Sequence, residues 1–147
     1  MTDVLDDEYE RRFAGVAKIY GDDEFTHYAN SHVMVIGIGG VGSWAVEALA
    51  RTGLGELTLV DMDVVAASNI NRQLPAMSTT LGHEKIEVMA QRCRAINPRI
   101  KINLVDDYLT PENVKDLLQN PPDLILDCID DVKAKLALML YCRFNKI

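Results

Sequence analysis

The chain has 147 residues, 48% hydrophobic and 25% charged, which suits one globular domain with a core of useful size. Its formal charge of -7 lies mostly in residues 1–31, with eight acids and three bases, while the remainder carries a net of -2; neither part has the basic excess that marks a nucleic-acid binder. No run reaches the roughly 18 apolar residues of a membrane span, the acidic start lacks the apolar stretch of a secretory signal, and three widely spaced cysteines argue against a disulfide framework or a zinc site, so a cytoplasmic location is expected.

Asp6 to Tyr20 reads as a helix ended by Gly21, and Asp23 to Ala29 as a second helix capped by Asp22. Val33–Ile36 is an all-apolar run, the pattern of a strand buried on both faces. Val41 to Thr52 is helical, with Trp44, Ala48 and Leu49 on one side and Gly53 as its stop. Leu57–Val60 forms a second strand with Asp61 at its carboxyl end, and residues 64–81 are irregular and polar. His83 to Asn97 returns to helix, with Ile86, Met89, Cys93 and Ile96 at helical spacing. Ile100, Ile102 and Leu104 alternate with polar residues as a third strand, and Thr110-Pro111 reads as the cap and first residue of a helix running to about Leu118. Leu124–Leu126 is the fourth strand, ending at Asp127, and Val132 to Phe144 the last helix. The expected fold class is α/β, Rossmann-like, a mostly parallel sheet with helices on both faces. An N-terminal helical segment, residues 1–31, precedes a nucleotide-binding domain, residues 32–147. Asn145-Lys146-Ile147 resembles the entry to a further strand, which suggests a chain cut short.

Gly37, Gly39 and Gly42 fit the G-x-G-x-x-G spacing between strand and helix, with Gly40 in the same turn. The first permits the tight turn, the second lets phosphate approach the backbone, and the third lets the helix pack against the strand. Asp61 follows Gly42 by nineteen residues, where an acid accepts bonds from ribose hydroxyls, and Asp63 lies beside it. Alone, this pattern favours NAD. Asn69, Asn71, Arg72 and Gln73 shift the balance, because amides and a guanidinium suit a polyphosphate, and Lys85 stands where it could reach the same phosphates. Taken singly, Lys85 reads as a surface lysine and the cassette as a solvated loop. Asp130 follows the fourth strand, where a carboxylate can share magnesium with substrate phosphates. Either Asp130 or Asp131 caps the next helix, and Asp130 is the expected metal ligand. Cys128 and Cys93 read as small buried hydrophobes, and Cys142 is undecided. His27, His32 and His83 show no ligand or catalytic spacing.

Together, Gly37–Gly42, Asp61-x-Asp63, Ser68-Asn69-x-x-Arg72-Gln73, Lys85 and Asp127-Cys128-x-Asp130 resemble the ubiquitin-activating-like adenylating superfamily of molybdopterin and thiamine biosynthesis. Arg12-Phe13-x-Gly15, Gly42-Ser43-Trp44, Ala48–Gly53 and Cys142-Arg143-x-Asn145-Lys146 are similar to its tRNA threonylcarbamoyladenosine dehydratase branch. The resemblance covers the chain from about Arg11 onward; the carboxyl-terminal half of the family is missing. It implies that Asp61 binds the ATP ribose, that Asn69, Arg72 and Lys85 hold the triphosphate, and that Asp130 holds Mg2+. Arg12, on its residues alone a solvated base, matches an arginine that reaches into the partner subunit's site, which implies a homodimer.

The implied reaction is adenylation of a substrate carboxylate, with tRNA as substrate. Alternatives are adenylation of the C-terminus of a ubiquitin-like sulfur carrier, an NAD-binding dehydrogenase domain, and a chain that binds nucleotide or a partner without catalysis. RNA contacts are expected either from the missing carboxyl-terminal half or from Arg92, Arg94, Arg99 and Lys101.

Overall fold

Short apolar strands separated by amphipathic helices leave one economical arrangement, a parallel sheet covered on both sides. The computed structural model describes residues 4–147, with side chains from residue 7 onward. Its elements are α1 Val4–Tyr20, α2 Asp22–Asn30, β1 His32–Ile36, α3 Gly42–Arg51, β2 Glu56–Val60, α4 Lys85–Ile96, β3 Lys101–Val105, α5 Val114–Leu117, β4 Leu124–Asp127 and α6 Val132–Asn145. The four strands are all parallel in the order β3-β2-β1-β4, with Ile36 opposite both Val60 and Asp127.

Strand alternation divides the core in two. Val33, Val35, Leu57 and Leu59 face α3 and α4 and pack on Val46, Ala50, Ile86, Met89 and Cys93. Met34, Ile36 and Val60 face the other way, onto Leu109, Val114, Leu118, Ala134 and Leu138. Two layers of helix over one sheet is the expected α/β architecture.

The N-terminal helices close the end of the sheet remote from the strands' carboxyl tips. Tyr9, Phe13 and Phe25 form an aromatic cluster, and the Tyr9 hydroxyl donates to the Gly53 carbonyl. Gly53 has φ +80°, and a Cβ there would lie 3.0 Å from the Phe25 and Tyr9 side chains. The glycine therefore stops α3 and also admits the cluster.

Several local expectations differ from the structure. Gly21, not Asp22, is the N-cap of α2, and Asp22 joins the first turn, where its charge complements the helix dipole. The buried face of α3 is Ser43, Val46, Glu47 and Ala50; Trp44 and Ala48 point outward. Thr110 and Asn113 exchange the reciprocal bonds of a capping box, Thr110 N–H to Asn113 Oδ1 at 2.8 Å and Asn113 N–H to Thr110 Oγ1 at 3.3 Å, as the Thr110-Pro111 signature anticipates, but the regular helix α5 starts later than expected and spans only Val114–Leu117. At the far end Asn145 is still helical, and Lys146 caps α6 in the left-handed region at φ 57°.

Candidate nucleotide site

In the order β3-β2-β1-β4 the chain reverses direction across the sheet between β1 and β4, and an open α/β sheet leaves its crevice beyond the strand ends at that point. A cavity of about 1080 Å³ lies there. It is lined by Gly37, Gly39 and Gly40 after β1, Asp61 and Asp63 after β2, 107–112 after β3, and Cys128 to Asp131 after β4. Arg72, Gln73 and Lys85 complete one wall, and Lys133 of α6 stands in another.

The glycines differ in what they allow. Gly37 has φ +91°, and a Cβ there would approach the Cys128 carbonyl to 2.7 Å, so it lets β1 and β4 run close together. At Gly42 a Cβ would sit 1.7 Å from the Gly37 carbonyl oxygen, which makes it a packing glycine outside the cavity lining. Gly39 is open: the nearest group to an added Cβ is the Gln73 amide at 3.8 Å. A cradle that side chains would fill fits an anion drawn against backbone N–H groups.

The acids are differently placed. Asp61 is buried, accepting from the Ile38 N–H at 2.6 Å and the Asp63 N–H at 2.8 Å. Each carboxylate oxygen keeps a further lone pair, so Asp61 can still accept from ribose hydroxyls. Asp63 instead serves Lys85, whose Nζ donates to it at 2.8 Å, and the Tyr108 hydroxyl donates to its other oxygen. Lys85 is only 4% exposed, and this counter-ion compensates its burial. The Lys85 and Tyr108 bonds hold the Asp63 carboxyl below the usual carboxylate range, and the bond to Asp63 pushes the Tyr108 phenol up to about 12.

The loop after β4 is braced around Asp130. Asp127 accepts from the Ile129 N–H at 3.1 Å and from Lys135 Nζ at 2.6 Å, and Asp131 caps α6 through the Ala134 N–H at 2.8 Å. As expected for the pair, Asp131 is the cap, and Asp130 lines the cavity with no hydrogen bond or ion pair among the described residues. Magnesium takes one or two carboxylates plus substrate phosphates, so Asp130 beside an anion cradle fits that ion. No cluster of three or more ligating side chains occurs among the described residues. The Gln73 amide oxygen is buried without a partner, which also marks this wall as built for a polar occupant.

Of the residues predicted from sequence, the fold brings Gly37, Gly39, Gly40, Asp61, Asp63, Arg72, Lys85 and Asp130 to one cavity. Asn69 stays outside the lining, its Oδ1 accepting from the Ala66 N–H at 3.0 Å within a single 3-10 turn, Ala67–Asn69. Arg12 is also outside. Its guanidinium donates to Glu8 and to the Ile96 carbonyl at 3.1 Å, at the end of α4 opposite Lys85. Tyr108 was missed, although its position just beyond β3 is where such a fold places ligand contacts. Ser43 was also missed as a brace: it donates to the Gly39 carbonyl at 2.6 Å and accepts from the Leu74 N–H at 3.2 Å, tying the glycine turn to the Arg72 cassette.

No free thiolate lies nearby. Burial pushes the Cys93 thiol up to about 12, and it raises Cys128 and Cys142 as well. Three of the four candidate RNA contacts are engaged inside the chain: Arg92 with Glu47, Lys101 with Glu56, and Arg99 4.5 Å over the Tyr9 ring.

The model of the ThiF family matches residues 9–147. A tRNA threonylcarbamoyladenosine dehydratase of Haemophilus influenzae is 53% identical over 141 residues, 96% of this chain and 54% of that protein. A molybdopterin-synthase adenylyltransferase of Escherichia coli is 36% identical over 118 residues, 80% of this chain and 47% of that one. The crystal structure of E. coli tRNA N6-threonylcarbamoyladenosine dehydratase, TcdA, in complex with ATP superimposes with a TM-score of 0.95 at 48% identity, covering 99% of this chain and 60% of that one. The chain thus spans about half the length of the curated relatives it matches. With the family's pattern running through all but the first eight residues, the chain belongs to the ThiF family.

Proposed function

We propose that this chain is the nucleotide-binding part of an ATP-dependent adenylating enzyme whose acceptor is the carboxylate of threonylcarbamoyladenosine in tRNA. The observation that carries the reading is the convergence of Asp61, Arg72, Lys85 and Asp130 on one crevice, in a chain 53% identical to a relative of that name.

Chemically, a carboxylate oxygen attacks the α-phosphorus of ATP, the bond to the bridging oxygen breaks, and pyrophosphate leaves. Asp61 accepts from the ribose, and the glycine turn admits the phosphates. Arg72 and Lys85 offset charge on the departing pyrophosphate, Lys85 moving from Asp63 toward it. Magnesium bound by Asp130 would add positive charge at the transferring group. A nitrogen of the same substrate then displaces AMP from the acyl-adenylate, closing a ring; the original carboxylate oxygen departs with AMP, so the substrate loses the elements of water. No enzyme nucleophile is required, which accords with three protonated thiols. The active unit is a homodimer in the cytoplasm, with Arg12 acting at the partner's site.

The 36% identity to a molybdopterin-synthase adenylyltransferase favours a second reading, in which the acceptor is the C-terminal carboxylate of a ubiquitin-like sulfur carrier. Incubating the intact protein with ATP, magnesium and either acceptor separates the two. Pyrophosphate release that needs threonylcarbamoyl-tRNA and is lost in Asp130→Ala supports the first. Release with a small protein ending in Gly-Gly alone supports the second.

A further inference from the structure

The cavity, about 1080 Å³, lies at the upper end of the roughly 300–1,000 Å³ of single-ligand sites. Its cations stand at two poles. Arg72 and Lys85 form one, with Lys85 tied to Asp63 beyond β2. Lys133 forms the other, on α6 beyond β4, with β1 lying between those two strands. Two strand spacings, about 10 Å, separate the strands that carry these poles.

Lys133 is chemically odd where it stands. It occupies the first turn of α6, where the helix dipole disfavours a cation. Lys135, in the next turn, is paired with Asp127, and Lys85 with Asp63. Lys133 has no ion pair or hydrogen bond among the described residues, yet it lines the cavity. An exposed, unpaired cation on the cavity wall, standing against a helix dipole, is free to meet an anion that arrives from outside.

The reaction geometry says which anion. In an in-line displacement the attacking oxygen approaches opposite the leaving group. Pyrophosphate departs toward Arg72 and Lys85, so the acceptor enters from the pole of Lys133.

We infer that Lys133 is a specificity-determining residue of the acceptor subsite, pairing with an oxyanion of the incoming substrate. This rests on the adenylation reading above. The oxyanion is either the carboxylate to be activated or a phosphodiester next to the modified adenosine.

The test loads the intact protein with a non-hydrolysable ATP analogue and titrates two RNA stem–loops, one carrying threonylcarbamoyladenosine and one plain adenosine. K133M should bind the modified RNA at least tenfold more weakly, with affinity for the ATP analogue within twofold, and K133R should recover most of the loss. If the carboxylate is the partner, the plain RNA is unaffected. If a phosphodiester is the partner, both RNAs weaken equally and the salt slope falls by about one. Unchanged binding of both RNAs to K133M, or an equal loss of the ATP analogue, overturns the assignment. If the unmutated protein binds neither RNA, the RNA reading itself fails, and Lys133 falls with it.

Discussion

The indole N–H of Trp44 donates to the backbone carbonyl of Arg72 at 3.0 Å, from the solvent side of α3. Its neighbour Ser43 holds Leu74 in the opposite sense, the hydroxyl oxygen accepting from the Leu74 N–H at 3.2 Å. Two adjacent residues at the start of one helix therefore clamp both sides of the Arg72-Gln73 pair over the glycine turn. A Cβ added at Gly40 would meet the Arg72 methylenes at 3.6 Å, so the Arg72 side chain lies alongside the glycine turn. Trp44→Phe keeps the ring and removes the donor. Loss of one such bond, worth about 0.5–1.5 kcal/mol, should raise KM for ATP roughly two- to tenfold with little change in Tm. Steady-state kinetics with a parallel melting curve would check this; an unchanged KM would mean the clamp is idle.

Gly39 and Gly42 should separate when each becomes alanine. Gly42→Ala drives a methyl to 1.7 Å from the Gly37 carbonyl, so the loss should exceed about 3 kcal/mol of stability, or prevent folding. Gly39→Ala meets nothing nearer than 3.8 Å, so it should fold normally and lose ATP affinity at least tenfold. Denaturant curves and nucleotide titrations on both variants give the comparison. Equal destabilisation by both would contradict the division between packing and ligand glycines.

Glu47 lies in the buried face of α3 and accepts from Arg92 Nε at 2.5 Å and from Arg51 Nε at 2.8 Å, joining α3 to α4. The Arg92 bond, then the Arg51 bond, holds its carboxyl below the usual range despite burial. A depressed folded value stabilises the protein above the unfolded value near 4.3 and is lost as pH falls through the folded value. Glu47→Gln should cost about 1–2 kcal/mol at pH 7. The difference from the unmutated protein should shrink below about pH 4, where the unfolded chain takes up the proton first. Urea titrations at pH 7 and pH 3 test the sign.

Much of this arrangement is legible in the residues. The strand–glycine–helix order, Asp61 at the tip of β2 and Asp130 beyond β4 follow from apolar runs ending in charge, and the fold places them together. What periodicity does not convey is the partner a side chain finds across space. Asp63 reads as a ribose neighbour, yet its carboxylate is taken by Lys85 and Tyr108, twenty-two and forty-five residues away. Trp44 and Ala48 read as sharing one side of their helix, but periodicity does not say that this side is the exposed one: α3 turns Val46 and Ala50 to the sheet, with Gly42 packed on the Gly37 carbonyl. Thr110-Pro111 carries a helix-start signature, and the reciprocal Thr110–Asn113 bonds form the capping box it anticipates, though regular helix is confined to Val114–Leu117.

Arg12 caps the end of α4 remote from its own chain's cavity, so any catalytic contribution must be made to another copy. Arg12→Ala and Asp130→Ala should each be inactive alone. Mixed after reversible dissociation, the proposed homodimer should regain up to about a quarter of normal activity, because half of such dimers would be mixed and each mixed dimer would hold one intact site. No recovery on mixing would assign Arg12 to capping alone.

The most direct test supplies the intact protein with ATP, magnesium and threonylcarbamoyl-modified tRNA, and weighs the nucleosides by mass spectrometry. The expected result is a modified adenosine lighter by one water, formed together with AMP and pyrophosphate and absent without ATP. An unchanged nucleoside mass, with the protein folded and ATP bound, would contradict the proposed activity.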